Sequence, residues 1–258
     1  MTLSEEERAR YARQIILREI GGPGQRRLKR STVAVIGAGG IGSPVIAYLA
    51  AAGVGRLLLI DDDRVDLSNL QRQILFGTPD VGTPKAIQAA SAVARQNPYV
   101  SVQTTVARIS AENAPGLLAG ADVVVDGCDN FATRLAVADA ALDARIPLIS
   151  AAVGQFEGQL ATYRGWEADK PCYRCLVGSA PDRDGATCAE QGVLGPVTGI
   201  LGSMAALEAI RAVVPFGQDP AGRLTLLDLL DLRFRTIRVP KDSGCPACGR
   251  NRIQHIPV

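Results

Sequence analysis

The sequence predicts a doubly wound α/β fold, in which a mostly parallel Rossmann-like sheet carries helices on both faces. Short apolar runs alternate with helical patterns through the first 150 residues. A glycine-rich turn, GAGGIG, follows the first of these runs and opens a helix. Strands and helices in alternation are typical of βαβ units, so we expect the parallel sheet to form the amino-terminal half.

Five apolar runs predict the parallel strands, and they lie in STVAVIG, RLLLID, VSVQTTV, ADVVVDGCDN and IPLIS. Gly53 ends the helix after the glycine turn, and residues 85–95 and 111–118 show later helical patterns. From about Gly154 the pattern changes to shorter, more polar strands, a cysteine pair, a glycine-bearing loop, a long helix and two final strands. We expect a single domain over residues 1–258, with a nucleotide-binding half at 1–153 and an elaboration at 154–258.

Charge and hydropathy exclude several classes of partner. The 28 Lys and Arg residues nearly balance the 26 Asp and Glu residues, so no overall field favours nucleic acid or a membrane surface. The first residues, MTLSEEERARYARQ, have no apolar core, which predicts no signal peptide and a cytoplasmic location. Residues 194–214 are rich in apolar residues but include Glu208 and Arg211, so we expect a buried helix there and no membrane span.

Four of the six cysteines form two pairs with the spacing of metal ligands. Cys172 and Cys175 lie in CYRC, and Cys245 and Cys248 lie in CPAC. Reduced thiols at this spacing are typical of a tetrahedral Zn²⁺ site, here joining distant segments without a catalytic role. The alternatives are two unrelated turns with free thiols, or a thioredoxin-like redox pair.

The glycine turn predicts a nucleotide site. Gly37, Gly39 and Gly42 form G-x-G-x-x-G between a strand and a helix, where backbone N–H groups and the helix dipole face phosphate. Asp61 ends the second strand, where an acid binds ribose hydroxyls. Both features fit NAD and ATP equally well.

The surrounding charges favour ATP. The single histidine, His255, lies near the end of the sequence and is a poor candidate for an acid in hydride transfer. Arg13, Arg72 and Lys85 instead supply cations of the kind that stabilise a transferring phosphoryl group. An NAD(P)-dependent oxidoreductase would leave these cations and the cysteine pairs unexplained, and a non-catalytic nucleotide-binding scaffold would not need the cations.

Eight motifs occur in one order: RYARQ, GAGGIGSP, DDDRVDLSNLQRQ, VGTPKA, DGCDN, CYRC, TCAEQGVLGP and CPAC. In these motifs the sequence resembles the MoeB/ThiF/HesA family, the prokaryotic relatives of ubiquitin-activating enzymes. The resemblance implies a homodimer that uses Mg²⁺ and ATP to adenylate the terminal glycine of a small ubiquitin-like sulfur-carrier protein ending in Gly-Gly. It also implies that residues 154–258 bind the carrier. The carrier's pathway, whether thiamine, molybdopterin or a specialised one, stays open.

The same resemblance implies individual roles. Asp61 would hold the ribose, Lys85 would contact the phosphates and Asp129 would hold Mg²⁺ near the α-phosphate. Arg13 would reach across the dimer into the partner's site. The full set implied for ATP is Gly37, Gly39, Gly40, Gly42, Asp61, Asp63, Asn69, Arg72, Gln73, Lys85 and Asp129.

Each of these roles has a structural alternative. Lys85 could be a solvated residue in the first turn of a helix, although a cation is poorly placed there without a nearby anion. Asp129 could cap the helix that begins near Phe131. Asp63 could be a solvated turn residue, and Arg13 could be an ordinary surface residue on a charged helix.

Two further cysteines stand apart from the pairs. Cys128 replaces the Thr or Ser that is usual in the family, and we expect a small buried residue there with no nucleophilic role. Cys188 lies in a polar loop, and the resemblance implies that it captures the activated carrier or accepts sulfur. The alternative for Cys188 is a free loop thiol. Since no rhodanese-like segment follows Cys248, we expect a separate protein to donate the sulfur.

Overall fold

One eight-stranded sheet organises the protein in a computed structural model, which describes residues 2–178 and 192–249. The strand order is β3-β2-β1-β4-β5-β6-β7-β8. The five strands from β3 to β5 are mutually parallel, and β6 to β8 continue the sheet antiparallel. The strands are β1 (Thr32–Ile36), β2 (Arg56–Ile60), β3 (Ser101–Thr105), β4 (Val123–Asp126), β5 (Leu148–Gly154), β6 (Glu157–Tyr163), β7 (Arg223–Asp228) and β8 (Arg233–Arg238).

Helices cover both faces of this sheet, as the sequence predicted. One core contains α4, α5 and α9 with alternate residues of the central strands, such as Val33 and Val35. The other core contains α6 and α7 with the intervening residues, such as Ala34 and Ile36. Because both faces are buried, the central strands are apolar throughout and do not alternate with polar residues. The helices are α1 (Glu5–Arg10), α2 (Ala12–Ile15), α3 (Gly21–Arg30), α4 (Gly42–Ala52), α5 (Lys85–Gln96), α6 (Ala114–Leu117), α7 (Phe131–Asp143), α8 (Tyr173–Val177) and α9 (Gly195–Val213).

Helix α6 is shorter than the sequence predicted. The helical pattern covered residues 111–118, but the helix begins only at Ala114. Pro115 lies in its first turn, the one place where a proline without an N–H group is tolerated. The Asn113 side chain accepts a hydrogen bond from the Ser110 backbone N–H at 2.8 Å, which forms a turn before the helix.

Helix α9 is long and apolar enough to cross a membrane by length and composition alone. It packs instead against α4 and against β4, β5 and β6. Leu201, Ala205 and Ala209 on one of its faces are fully buried in the core. The expectation of a buried helix for this stretch is therefore confirmed.

The amino-terminal helices are fastened to the sheet domain by polar contacts. The Ser4 side chain and Glu7 form a reciprocal capping box on α1, and buried Glu7 accepts a hydrogen bond from Lys29 at 2.6 Å. Asn97 donates a hydrogen bond to the Tyr11 hydroxyl at 2.9 Å. These contacts fix the segment that carries Arg13.

Gly53 provides a test of this packing. It ends α4 in the left-handed region with φ 79°, and a Cβ at this position would overlap the Tyr11 ring. Gly82 has a similar φ of 85° but has open space around it. We expect Gly82→Ala to lower the free energy of unfolding by ~1–2 kcal/mol, the cost of the left-handed backbone alone. Gly53→Ala should cost more by ~1–3 kcal/mol, because overpacking adds to the backbone strain. Denaturant unfolding measures both, and equal losses would contradict the packing of Tyr11 on Gly53.

Candidate nucleotide site and cysteine cluster

A cavity of about 560 Å³ opens at the carboxyl ends of the parallel strands. Its walls come from the segments that follow β1, β2 and β4, from the end of β5 and from the start of α9. Ligands bind at this edge in open α/β sheets, where the strand order reverses. The lining includes these residues of the predicted set: Gly37, Gly39, Gly40, Asp61, Asp63, Asn69, Arg72, Gln73, Lys85 and Asp129.

The glycine turn gives the cavity a floor of backbone atoms. Gly37 has φ 85°, which a residue with a side chain rarely adopts. A Cβ on Gly42 would overlap the Gly37 carbonyl oxygen, so Gly42 allows the turn to fold onto the start of α4. Gly42 itself does not line the cavity. A Cβ on Gly40 would lie 3.0 Å from the Thr198 side chain, so the turn also packs closely against α9.

Asp61 lies at the end of β2 beside this turn. Its carboxylate accepts hydrogen bonds from the backbone N–H groups of Ala38 at 2.6 Å and Asp63 at 2.8 Å. Burial raises the pKa of Asp61 above its ordinary value, while these N–H donors act in the opposite direction. Each oxygen keeps a further lone pair, so the side chain can still accept ribose hydroxyls.

Lys85 is buried at the first position of α5, and Asp63 is its anion. The ammonium lies 2.8 Å from the Asp63 carboxylate, and the Lys85 side chain is only 6% exposed. A cation at the start of a helix needs a nearby anion, and Asp63 supplies it here. The alternative of a solvated Lys85 is wrong, and Asp63 is an exposed residue with a defined ionic partner.

Arg72, Asn69 and Gln73 lie on one turn beside the cavity. The Asn69 carbonyl accepts hydrogen bonds from the backbone N–H groups of Arg72 at 3.0 Å and Gln73 at 2.9 Å. The half-buried Arg72 guanidinium donates to the Ser68 carbonyl at 3.1 Å, which leaves most of its donors for a ligand. Gln73 is 3% exposed, and its side-chain oxygen has no hydrogen-bond partner among the described residues. An unpaired buried oxygen in a cavity wall favours a polar ligand there.

Asp129 lies at the mouth of the cavity and does not cap α7. The cap is Asn130, whose side-chain oxygen accepts a hydrogen bond from the Thr133 N–H at 3.0 Å. The sequence-based alternative was wrong because the helix begins at Phe131, which makes Asn130 the residue immediately before it. Asp129 is exposed and makes no hydrogen bond or ion pair with the described residues.

Cys128 also lines the cavity, and it is half-buried there instead of fully buried as expected. Burial and the neighbouring Asp126 carboxylate raise the pKa of Cys128 well above its ordinary value. A thiol held in its neutral form is a poor nucleophile. The chemistry agrees with the expectation that this position has no nucleophilic role.

Sequence reasoning missed two charged residues at this wall, of which Arg134 itself lines the cavity. Arg134 on α7 and Asp126 at the end of β4 are 8% and 1% exposed and form an ion pair at 3.2 Å. Asp126 raises the pKa of Arg134, although burial acts in the opposite direction. One signal was available, because Arg134 is the only cation in the helix FATRLAVADAALD and is followed by the apolar run LAVA.

Arg13 lies outside the cavity. It is exposed on α2 and is not among the residues that line the nucleotide cavity.

The two cysteine pairs meet in one cluster, as their spacing predicted. The sulfur atoms of Cys172 and Cys175 lie 3.8 Å apart, those of Cys172 and Cys245 3.5 Å, and those of Cys175 and Cys248 3.4 Å. A tetrahedral metal with bonds of ~2.3 Å to sulfur separates its ligands by ~3.8 Å. All four sulfur atoms lie within 4.8 Å of one another, which fits a single metal ion. The arrangement does not fit two unrelated turns.

The cluster lies at the opposite end of α7 from the nucleotide cavity. Leu142 near the end of α7 packs against the cysteines, and Arg174 beside them binds Asp139 of α7 at 2.7 Å. Because α7 is 13 residues long, a helix rise of ~1.5 Å per residue puts ~18 Å between its ends. The cluster is therefore structural in position. Cys188 and His255 lie outside the described residues.

Comparisons with known proteins find relatives that match almost the whole chain. A model of the ThiF family matches residues 11–247. The sulfur carrier protein adenylyltransferase of Thermus thermophilus is 44% identical over 98% of this chain and 95% of its own length. The molybdopterin-synthase adenylyltransferase of Escherichia coli is 39% identical over 96% of this chain and 99% of its own length.

Solved structures share the fold. The crystal structure of E. coli MccB with ATP matches with a TM-score of 0.77 at 22% identity, over 87% of this chain and 69% of that one. The crystal structure of PaaA matches with a TM-score of 0.78 at 26% identity, over 93% and 76%.

The cysteine cluster predicts a bound metal that stabilises the fold. We expect Cys248→Ser to lose the metal and to lower the melting temperature together, because a closed four-sulfur site contributes folding energy. Metal analysis of the purified protein and thermal unfolding measure the two effects. Cys128→Ser is the matched control and should keep both properties, since its thiol is outside the cluster. A metal-free Cys248→Ser protein with unchanged melting temperature would contradict the structural role.

Proposed function

The chain belongs to the ThiF family, and we propose that it is an adenylyltransferase that uses ATP to activate a small ubiquitin-like sulfur-carrier protein. The carrier's terminal glycine carboxylate attacks the α-phosphorus, an acyl adenylate forms and pyrophosphate leaves. One observation carries the proposal. The acids, amides and cations of the predicted ATP set line a single cavity at the carboxyl edge of the sheet. The names of relatives that share 39–44% of the sequence over almost the whole chain support it.

The residues of the cavity suit the parts of ATP. Asp61 would accept the ribose hydroxyls, and the backbone N–H groups of the glycine turn at the start of α4 would face phosphate. Arg72 and Lys85 would offset the charge that develops on the phosphate oxygens during transfer. Lys85 is held by Asp63 before the nucleotide arrives, so its position costs no reorganisation. Asn69 and Gln73 would complete the wall beside these cations.

Asp129 is the proposed ligand of Mg²⁺. Its carboxylate is exposed at the cavity and has no partner among the described residues, and Mg²⁺ in nucleotide sites is bound by one or two carboxylates together with phosphate oxygens. Bound there, the ion would neutralise charge on the phosphates. Asp129 itself would orient the metal–nucleotide complex against the attacking carboxylate.

The metal of the cysteine cluster is proposed to be Zn²⁺. Four thiolates in a closed tetrahedral set are typical of structural zinc. The hydrogen bond from Cys172 lowers the pKa of Cys175 to about 5, and the Asp242 N–H adds a further donor at 3.5 Å. Both hydrogen bonds favour the thiolate form that metal binding needs.

A surface for the carrier is available beside the cavity. The turn after β5 carries Phe156, and the turn between β7 and β8 carries Leu230 and Leu232, which are 70% and 71% exposed. A hydrogen bond of 2.8 Å from the Leu229 N–H to the Phe156 carbonyl joins the two turns. Both turns lie at the same edge of the sheet as the cavity, because β5 and β7 point in the same direction. We propose that the carrier docks on these residues and extends its terminal glycines into the cavity.

Further partners complete the proposal. We propose a homodimer in which the exposed Arg13 of each subunit enters the other subunit's site. A separate donor protein would supply the sulfur. We propose a cytoplasmic location for the enzyme. Cys188 is proposed to accept the activated carrier or sulfur after adenylation, a step that the adenylation itself does not need.

Carrier-dependent exchange of pyrophosphate into ATP tests the reaction. We expect Arg72→Ala and Arg13→Ala to lower the exchange rate by roughly 10²–10⁴, because each removes a cation that stabilises the transferring phosphate. Arg18→Ala, a neighbouring exposed arginine, should leave the rate unchanged. Exchange near the wild-type rate in both site variants would remove these residues from the proposal.

Mixing Arg13→Ala with Asp129→Ala subunits should restore one working site per heterodimer, and no recovery would argue against action across the dimer.

The docking surface predicts a selective loss of carrier affinity. We expect Leu230→Ser combined with Phe156→Ser to raise the carrier concentration for half-maximal exchange by roughly 10-fold, as for buried apolar contacts at an interface. The ATP concentration for half-maximal exchange should stay the same. Ile87→Ser removes a half-exposed apolar side chain from α5 and serves as the control. If the double variant keeps its carrier affinity, the carrier docks elsewhere.

A further inference from the structure

The buried ion pair of Arg134 and Asp126 connects three segments around the cavity. Besides Asp126, the Arg134 guanidinium donates to the Ser150 hydroxyl at 3.2 Å and to the Ala151 carbonyl at 2.8 Å. Its contacts therefore join α7 to the end of β4 and to the middle of β5. A buried ion pair is weak evidence for a gain in stability, because desolvation offsets the attraction between the charges. The contacts that the pair makes with its surroundings are more informative.

Both backbone polar groups of Cys128 are bound by this ion pair. The Cys128 N–H donates to the Asp126 carboxylate at 3.1 Å. The Cys128 carbonyl accepts a hydrogen bond from the Arg134 guanidinium. The peptide that joins Cys128 to Asp129 is thus held by a buried side chain on its carbonyl side.

The residue on the other side of Asp129 is fixed as well. Asn130 caps α7 through its bond to the Thr133 N–H. Asp129 lies between these two fixed residues, and its own carboxylate is exposed at the cavity without a partner among the described residues. The structure therefore holds the backbone on both sides of Asp129 and leaves its side chain available.

We infer that Arg134 is a positioning residue that, through the Cys128 carbonyl, fixes the backbone from which Asp129 meets the metal–nucleotide complex. The inference rests on the proposed role of Asp129. Groups that orient a metal ligand set metal affinity, and their loss typically weakens it by roughly 10–100-fold. Four of the five N–H donors of the Arg134 guanidinium are used by protein oxygens, so we infer that Arg134 acts on the metal through the Cys128 backbone.

Two variants separate this role from a merely structural one. Arg134→Lys keeps the charge but cannot form the same set of bonds, because an ammonium lacks the planar fork of a guanidinium. If the single variant folds poorly, the double variant Asp126→Asn with Arg134→Met takes its place. It removes both buried charges, so neither is left unpaired. Arg174→Met is the matched control, because Arg174 binds Asp139 of the same helix far from the cavity.

The first measurement is amide hydrogen exchange of the nucleotide-free enzyme. We expect the Gly127 and Cys128 amides, which donate hydrogen bonds to the Ile36 carbonyl and the Asp126 carboxylate, to exchange at least about 10-fold faster in both Arg134 variants and at the wild-type rate in Arg174→Met, as for a local opening. The second is Mn²⁺ binding, with Mn²⁺ in place of Mg²⁺, in the presence of a non-hydrolysable ATP analogue. Its dissociation constant should rise by roughly 10–100-fold in the Arg134 variants and stay unchanged in the control.

The outcomes distinguish the inference from the proposed function. Unchanged exchange of the Gly127 and Cys128 amides overturns the inference, whatever the metal affinity. Faster exchange with unchanged Mn²⁺ affinity also overturns it, provided that Asp129→Ala does weaken Mn²⁺ binding. If Asp129→Ala leaves Mn²⁺ binding unchanged, the metal role of Asp129 in the proposed function fails, and the inference fails with it.

Discussion

The burial of both faces of the parallel sheet is the constraint on which the rest of the structure depends. Helices exclude water from the strands on either side, so a charged group within a central strand would lose its hydration without gaining a partner. Charged groups can therefore collect only where strands end. The carboxyl edge receives the glycine turn after β1, Asp61 after β2 and the segment after β4, and all three face the same cavity. The site is a consequence of where polar groups are tolerated.

Features set by neighbouring residues were predictable from the sequence. The buried strands, the glycine turn and the helix end at Gly53 were predicted correctly because backbone conformation and local apolar pattern decide them. The cysteine cluster was predicted from spacing alone, since two pairs of thiolates have few other uses. Its position at the far end of α7 could not be predicted, because the position depends on how the chain after β8 folds back against α8.

Features set by tertiary contacts were not predictable in the same way. The pairing of Lys85 with Asp63 joins residues on different segments, and the pattern indicated only that some anion was needed. The sequence offered Asp129 as an alternative cap of α7 where the structure uses Asn130, because two adjacent residues with good capping side chains cannot be distinguished without the exact start of the helix. Arg134 was missed because its partners come from β4, β5 and the Cys128 backbone, which are separated in sequence.

The cysteine cluster also closes a long loop. A metal that joins Cys175 to Cys245 closes a loop of residues 176–244, and closing a loop of about 70 residues costs conformational entropy worth about 4 kcal/mol, which metal binding to the folded protein offsets. That entropy depends only weakly on loop length, since each doubling adds about 0.6 kcal/mol. Insertions in the connecting loops of that segment therefore change this entropy little, whereas its α9 and β7 stay tied to the core through α4 and β6.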